Sequence, residues 1–282
     1  MTTAVSSDTH ALAGLTGTLV LVGAGKMGGA KLEGWLELGL DPARVVAIEP
    51  QPAPELAALA GRGLRLNPAR DAVGETSAIV IAIKPQVAPE VVPTLAPYLG
   101  SETVVLSIMA GRTLGFLAQA LPKGAAVVRA MPNTPAAIGR GITVAVPNPA
   151  VSAHQRKLVQ ALLSATGAVE WIDDEALMDA VTAVSGSGPA YVFLLAETLA
   201  RAGVAAGLPA DLAGRLARAT VAGSGELLHR SSLDPATLRQ NVTSPGGTTA
   251  AALDVLMAAD ALDPLMRKAV AAATRRSKEL AG

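Results

Sequence analysis

The chain contains no cysteine. Disulfides, thiolate metal sites and thiol nucleophiles are therefore excluded, and a reduced, cytoplasmic setting suits it. Aromatic residues are also scarce, two each of Trp, Tyr and Phe in 282 residues, which leaves no platform for stacking bases. Charge of either sign is not in surplus: 23 basic residues stand against 23 acidic ones. Binding to a phosphate backbone needs a basic excess, so nucleic acid is not an expected partner. No uninterrupted apolar run approaches the length that spans a bilayer, so no membrane association is expected. Met1 to Gly17 lack the basic start and apolar centre of a secretion signal, and they read as a flexible leader. The three histidines, His10, His154 and His229, fall in no motif and suggest no zinc spacing. Each reads as an ordinary surface or packing residue.

What remains is an aliphatic chain, 50% apolar, long enough for two domains of roughly 100–200 residues each. Its two parts differ in rhythm. Over residues 18–172, short β-branched runs alternate with helical stretches. Thr18–Val22, Val45–Ile48, Ala78–Ile83, Thr103–Ile108, Ala126–Arg129 and Ile142–Val146 read as strands, and Lys26–Leu38 as a helix. Continuous apolar strands separated by helices imply a parallel sheet covered on both faces, a doubly wound α/β fold with its ligands at the carboxyl ends of the strands. From Asp173 onward the strand signal stops. Ala176–Val184, Pro189–Ala206, Leu212–His229 and Leu262–Leu280 have helical spacing, and Asp211 and Asp234 look like helix starts. The expected plan is an α/β domain over 18–172 and an all-α domain over 173–282. So much aliphatic surface on the second domain implies burial against another copy.

Gly23-Ala24-Gly25-Lys26-Met27-Gly28 matches G-x-G-x-x-G between a strand and a helix. The first glycine permits the tight turn and the second lets backbone approach a pyrophosphate. The third lets helix and strand pack closely, with the helix N-terminus facing the anion. This makes the first domain dinucleotide-binding (Rossmann-like). Glu49, at the end of the second strand, can accept hydrogen bonds from ribose hydroxyls and repel a 2′-phosphate, which favours NADH; it would otherwise be a solvated loop acid. Arg70 is the opposite cue, a cation that would suit NADPH. Ala82-Ile83-Lys84-Pro85 and Ile108-Met109-Ala110 end two strands at the edge where cofactor should lie. Lys84 suits phosphate or ribose, or is a plain surface lysine.

Three further segments carry a resemblance: Met131-Pro132-Asn133-Thr134-Pro135, Ser185-Gly186-Ser187-Gly188-Pro189-Ala190-Tyr191, and Val242-Thr243-Ser244-Pro245-Gly246-Gly247-Thr248-Thr249. With the glycine loop and Lys84-Pro85, in this order from about residue 18 to 280, the chain resembles the pyrroline-5-carboxylate reductase family. The resemblance implies an N-terminal dinucleotide-binding domain and an all-helical C-terminal dimerisation domain, with dimers assembling into larger homo-oligomers. It implies the last step of proline synthesis, reduction of L-1-pyrroline-5-carboxylate by NADH or NADPH. By similarity the cofactor touches Gly23, Ala24, Gly25, Lys26, Met27, Glu49, Gln51, Arg70, Ala82, Ile83, Lys84, Pro85, Ile108, Met109, Ala110 and Asn241. The substrate touches Glu175, Asn241, Ser244, Gly247, Thr248 and Thr249. Met109 departs from the smaller residue usual there, and Glu49-Pro50-Gln51 lies in a variable region.

The chemistry fits the residue inventory. A protonated cyclic iminium is already electrophilic, so neither a metal nor a strong side-chain acid is needed. A dehydrogenase of secondary alcohols normally uses a basic side chain; the motifs hold no histidine, and Ser185 to Glu197 no lysine. Glycines ahead of the helical run Ala250–Ala259 can expose N–H groups to a carboxylate, or simply make a turn and an N-cap. Thr249 is the candidate catalytic group, orienting the ring nitrogen. Two other readings stay open. One is a dehydrogenase of the same plan acting on a hydroxy acid or another imine. The other is a cofactor-sensing protein that has lost turnover.

Overall fold

The protein is described here from a computed structural model covering residues 12–281. The first eleven leader residues, with His10, lie outside the described residues. Leu12 is buried against the first core layer, and its N–H bonds to the Leu38 carbonyl at 3.2 Å.

Eight strands form one sheet: β1 (Thr18–Val22), β2 (Val45–Ile48), β3 (Arg65–Leu66), β4 (Thr76–Ile81), β5 (Val104–Ser107), β6 (Ala126–Met131), β7 (Gly141–Pro147) and β8 (Gly167–Trp171). The order is β3-β2-β1-β4-β5-β6-β7-β8. All neighbours are parallel except β6 and β7, which are antiparallel. The sheet is therefore mainly parallel, as the apolar runs imply, with one reversal and two short strands beyond the expected set, β3 and β8.

The helices are α1 (Lys26–Glu37), α2 (Pro54–Ala58), α3 (Ala88–Val91), α4 (Leu114–Ala120), α5 (Ala153–Ser164), α6 (Met178–Val181), α7 (Gly188–Ala205), α8 (Ala210–Arg230), α9 (Pro235–Asn241), α10 (Thr248–Leu256) and α11 (Leu262–Ala281). Between α6 and α7 the chain makes a π-helical turn, Thr182–Gly186. Asp234 caps α9 by accepting from the N–H groups of Ala236 and Thr237, with Pro235 in the first turn. Asp211 is not a cap: α8 opens at Ala210, and Asp211 lies inside its first turn, where a carboxylate suits the helix dipole.

The strands fill two core layers because successive side chains point to opposite faces. Leu19, Leu21, Val45, Ala47, Ala78 and Val80 lie in one layer with Trp35 of α1 and Leu162 of α5. Val20, Val22, Val46, Ile79, Ile81 and Val105 lie in the other with Leu117 of α4. Helix α1 is docked closely on the end of α5. Trp35 Nε1 donates to the Leu162 carbonyl at 2.7 Å, and Lys31 Nζ donates to Thr166 Oγ1 at 2.6 Å and the Leu163 carbonyl at 3.3 Å. A Cβ on Gly34 would lie 2.7 Å from the Ala165 carbonyl oxygen, so only glycine permits this approach.

The described residues divide into two compact units, 12–186 with 274–281, and 187–273. The second is purely helical and centres on α7 packed against α8, where Gly203 meets Ala213. Its buried apolar residues, among those described, are Ala213 and Ala217 alone, whereas Phe193 is 68% and Val255 70% exposed.

Candidate active site

The strand order reverses direction at β1 and β4, and such a switch point opens a crevice at the carboxyl ends of the strands. The glycine loop stands there. Gly23 follows β1 with φ of 88°, and its N–H donates to the Ile48 carbonyl at 2.9 Å. A Cβ on Gly23 would lie 2.8 Å from the Ala82 carbonyl oxygen and 2.9 Å from Ile83 Cγ2. A Cβ on Gly28 would lie 2.2 Å from the Gly23 carbonyl oxygen. These two glycines are required by packing. Gly25 is different: nothing lies within 4 Å of its Cβ position, and it is the N-cap of α1 with no side chain capping the helix. The uncapped first turn, beside open space, has the free N–H donors that an anion such as a diphosphate requires. Lys26 is exposed beside it, and Met27 is half-buried against the core.

Glu49 closes one side of the loop. Its Oε2 accepts from the Ala24 N–H at 2.8 Å and its Oε1 from the Gln51 N–H at 3.0 Å. Asn67, absent from the residues singled out in the sequence, holds the Glu49 backbone at both polar groups, each at 2.8 Å. Arg70 turns elsewhere: its guanidinium donates twice to the Pro97 carbonyl and lies 4.7 Å over the Tyr98 ring.

At the far side, Ala82 and Ile83 continue β4, and Lys84 is exposed ahead of the single turn Pro85–Val87. Arg112 pins this segment with two bonds to the Pro85 carbonyl, at 2.9 and 2.6 Å. Ile108 and Met109 are buried, Met109 within the second core layer, so Ala110 is the member of that trio exposed at the edge.

Glu175 is engaged within its own unit. Its Oε1 accepts from Arg129 Nη1 at 2.7 Å and from the Leu114 N–H at 2.8 Å. Arg129 is buried, so the pair neutralises a charge that water cannot reach. Arg129 and Arg112 are further polar groups that the motifs did not single out, because each binds a residue distant in sequence.

In the helical unit, Asn241 ends α9 and is exposed, as is Ser244. The Gly247 N–H donates to the Ser244 carbonyl at 3.0 Å, Gly246 takes φ of 68°, and Gly247 is the N-cap of α10 without any side-chain cap bond. Thr248 and Thr249 form the first turn, Thr248 exposed and Thr249 half-buried. This is a second uncapped helix start, offering N–H donors and two hydroxyls to an anion. No group of three or more potential metal ligands occurs among the described residues, and none of their helices is long and apolar enough to cross a membrane.

A glycine cradle at the switch point of a mainly parallel sheet, with an acid at the end of β2, defines a nicotinamide-dinucleotide oxidoreductase. Residues 18–111 match the family model of coenzyme F420-dependent NADP oxidoreductases, and residues 175–280 match that of pyrroline-5-carboxylate reductase dimerisation. The pyrroline-5-carboxylate reductase of Pseudomonas aeruginosa is 40% identical over 94% of this chain and 97% of its own. The solved structure of the Coxiella burnetii enzyme superposes with a TM-score of 0.87 at 32% identity, covering 95% of this chain and 100% of that one. That of Plasmodium falciparum, solved with NADP bound, gives 0.77 at 31% identity over 94% and 98%. The chain belongs to the pyrroline-5-carboxylate reductase family.

Proposed function

We propose that this protein reduces L-1-pyrroline-5-carboxylate to L-proline, the last step of proline synthesis, in the cytoplasm. The observation that carries the reading is the pair of uncapped helix starts, one behind Gly25 and one behind Gly247, on a chain that belongs to this family. The first suits the cofactor diphosphate and the second the substrate carboxylate. The bound nicotinamide supplies the hydride, which goes to the imine carbon while a proton resides on the ring nitrogen.

The chain's own residues do the rest. The N–H groups of Thr248 and Thr249, with Asn241, Ser244 and Gly247, hold the carboxylate. The Thr249 hydroxyl accepts a hydrogen bond from the iminium N–H and fixes the orientation of the ring. Positioning of this kind supplies much of a hydride-transfer enzyme's acceleration. Glu175 contributes by holding Arg129 and the start of α4. Gly23 to Met27, Gln51, Ala82 to Pro85 and Ala110 line the cofactor, with Ile108 and Met109 behind them.

NADH is the preferred cofactor in this reading. The Glu49 carboxylate, held beside the glycine loop, would repel a 2′-phosphate brought to that edge, and Arg70 is committed to Pro97 and Tyr98. The helical unit forms a homodimer, and dimers build a larger homo-oligomer.

The test is to mix purified protein with L-1-pyrroline-5-carboxylate and either NADH or NADPH. Oxidation of the cofactor with an equal yield of proline supports the assignment, and the faster cofactor decides the preference. A folded protein that binds cofactor but oxidises none of it removes this substrate.

A further inference from the structure

Asn67 has a backbone conformation that is uncommon outside glycine, tolerated by asparagine better than by most residues, and disfavoured by the proline that follows. Its φ is 47°, the one positive value for a non-glycine residue among those described. It also precedes Pro68, and the residue before a proline is normally extended. Such conformations persist only where surrounding contacts enforce them, and they cluster at functional positions. Here three bonds enforce it. The Asn67 N–H donates to the Ala47 carbonyl at 2.8 Å, extending the pairing of β3 with β2. The side-chain amide donates from Nδ2 to the Glu49 carbonyl and accepts at Oδ1 from the Glu49 N–H, both at 2.8 Å. A primary amide is the side chain that can give and take a bond at one residue's backbone in this way.

The consequence lies at the far end of Glu49. With the Glu49 backbone held at both polar groups, its half-buried side chain extends to the glycine loop, where the two carboxylate oxygens accept from Ala24 and Gln51. The same turn carries the chain through Pro68 into the short helix Arg70–Ala72, from which Arg70 reaches Pro97. One residue thus fixes an anion beside the loop, while Arg70, three residues on, is engaged at Pro97 and Tyr98.

We infer that Asn67 is the positioning residue for cofactor choice: it holds Glu49 against the adenosine ribose and so disfavours a 2′-phosphorylated dinucleotide. This rests on the reading that Glu49 faces the ribose. Asn67 acts only through Glu49, and its removal changes discrimination between the two cofactors rather than turnover.

Dissociation constants for NADH and for NADPH, measured by fluorescence titration without substrate, test this in three variants: Asn67→Gly, Glu49→Ala and the double variant. Glycine at 67 accepts the left-handed backbone and removes only the two amide bonds. Glu49→Ala is expected to weaken NADH more than NADPH. Asn67→Gly is expected to weaken NADH about threefold or more with less effect on NADPH, the size expected from losing hydrogen bonds that order a neighbour. The double variant is expected to match Glu49→Ala, the coupling of residues that act in series. If Glu49→Ala shifts the ratio and Asn67→Gly leaves it unchanged, or weakens both cofactors equally, Asn67 is not the positioning residue and the reading of Glu49 stands. If Glu49→Ala does not shift the ratio, Glu49 does not read the ribose and the role of Asn67 falls with it.

Discussion

Thr249 concentrates the chemical proposal in one hydroxyl. It sits in the first turn of α10, half-buried, where its backbone N–H is free of any side-chain cap. Thr249→Ala keeps the helix start and removes only the orienting bond to the ring nitrogen. Turnover is expected to fall by roughly tenfold or more, with the dissociation constant for NADH unchanged. An unaltered kcat would take Thr249 out of the mechanism. Glu175 poses the opposite case. Glu175→Ala strands the buried Arg129 charge and the Leu114 N–H, so it is expected to lower stability by about 3 kcal/mol in a denaturant titration. A variant that keeps its stability and raises only the KM for substrate would move Glu175 into direct contact with substrate. Lys31 gives a pH signature. Burial lowers its pKa from 10.5 to about 8, and among the described residues no carboxylate pairs with it. Between those values the unfolded chain holds a proton that the folded chain has released. Stability should therefore rise with pH from about 8 towards 10.5, by at most about 3 kcal/mol. Below pH 8 this group contributes no slope. Lys31→Met should abolish the rise, which denaturant midpoints at pH 7, 8, 9 and 10 would show as parallel curves if Lys31 were not responsible.

At the scale of elements, the proposed cofactor site turns on the join between β1 and α1. A methyl at Gly28 would meet the Gly23 carbonyl oxygen at 2.2 Å, which forces the helix off the loop. Gly28→Ala is expected to weaken NADH and NADPH alike by about tenfold or more, equivalent to about 1.4 kcal/mol. A calorimetric titration that finds wild-type affinity would show that the loop does not carry the diphosphate. This join was legible in the sequence, because strand, glycines and helix are contiguous and each leaves a local signal. Other elements were less so. β3 is two residues, Arg65–Leu66, too short for any periodicity. β8 is an edge strand, Gly-Ala-Val-Glu-Trp, with exposure alternating along it. The reversal of β7 did leave a trace: only residues 132–140 separate it from β6, fewer than a parallel crossover requires. Among site residues, Glu49 announced itself by its place after β2. Asn67, Arg112 and Arg129 did not, because their partners at Glu49, Pro85 and Glu175 lie 18, 27 and 46 residues away and only the fold unites them.

The whole molecule presents a contrast between its two units that bears on assembly. The sheet unit buries two apolar layers. The helical unit leaves Phe193, Leu195 and Val255 more than half exposed and buries two alanines. Eighty-odd residues with so little interior cannot offset the conformational entropy of ordering them, so the helices need a second surface to pack on. A family model for dimerisation covers residues 175–280, the same stretch of chain. In the reading proposed above, the apolar face is the missing core of a homodimer, and its strength should respond to charge. Phe193→Asp places a carboxylate on a side chain that is 68% exposed in one chain. On a true surface such a change alters stability by only about 0.5 kcal/mol. At the centre of a dimer it buries an unpaired charge and is expected to dissociate the assembly, lower the melting temperature and abolish turnover together. Sedimentation velocity across a dilution series reads the first effect directly. A Phe193→Asp protein that sediments as the wild type does, and melts at the same temperature, would show that this face is not where copies meet.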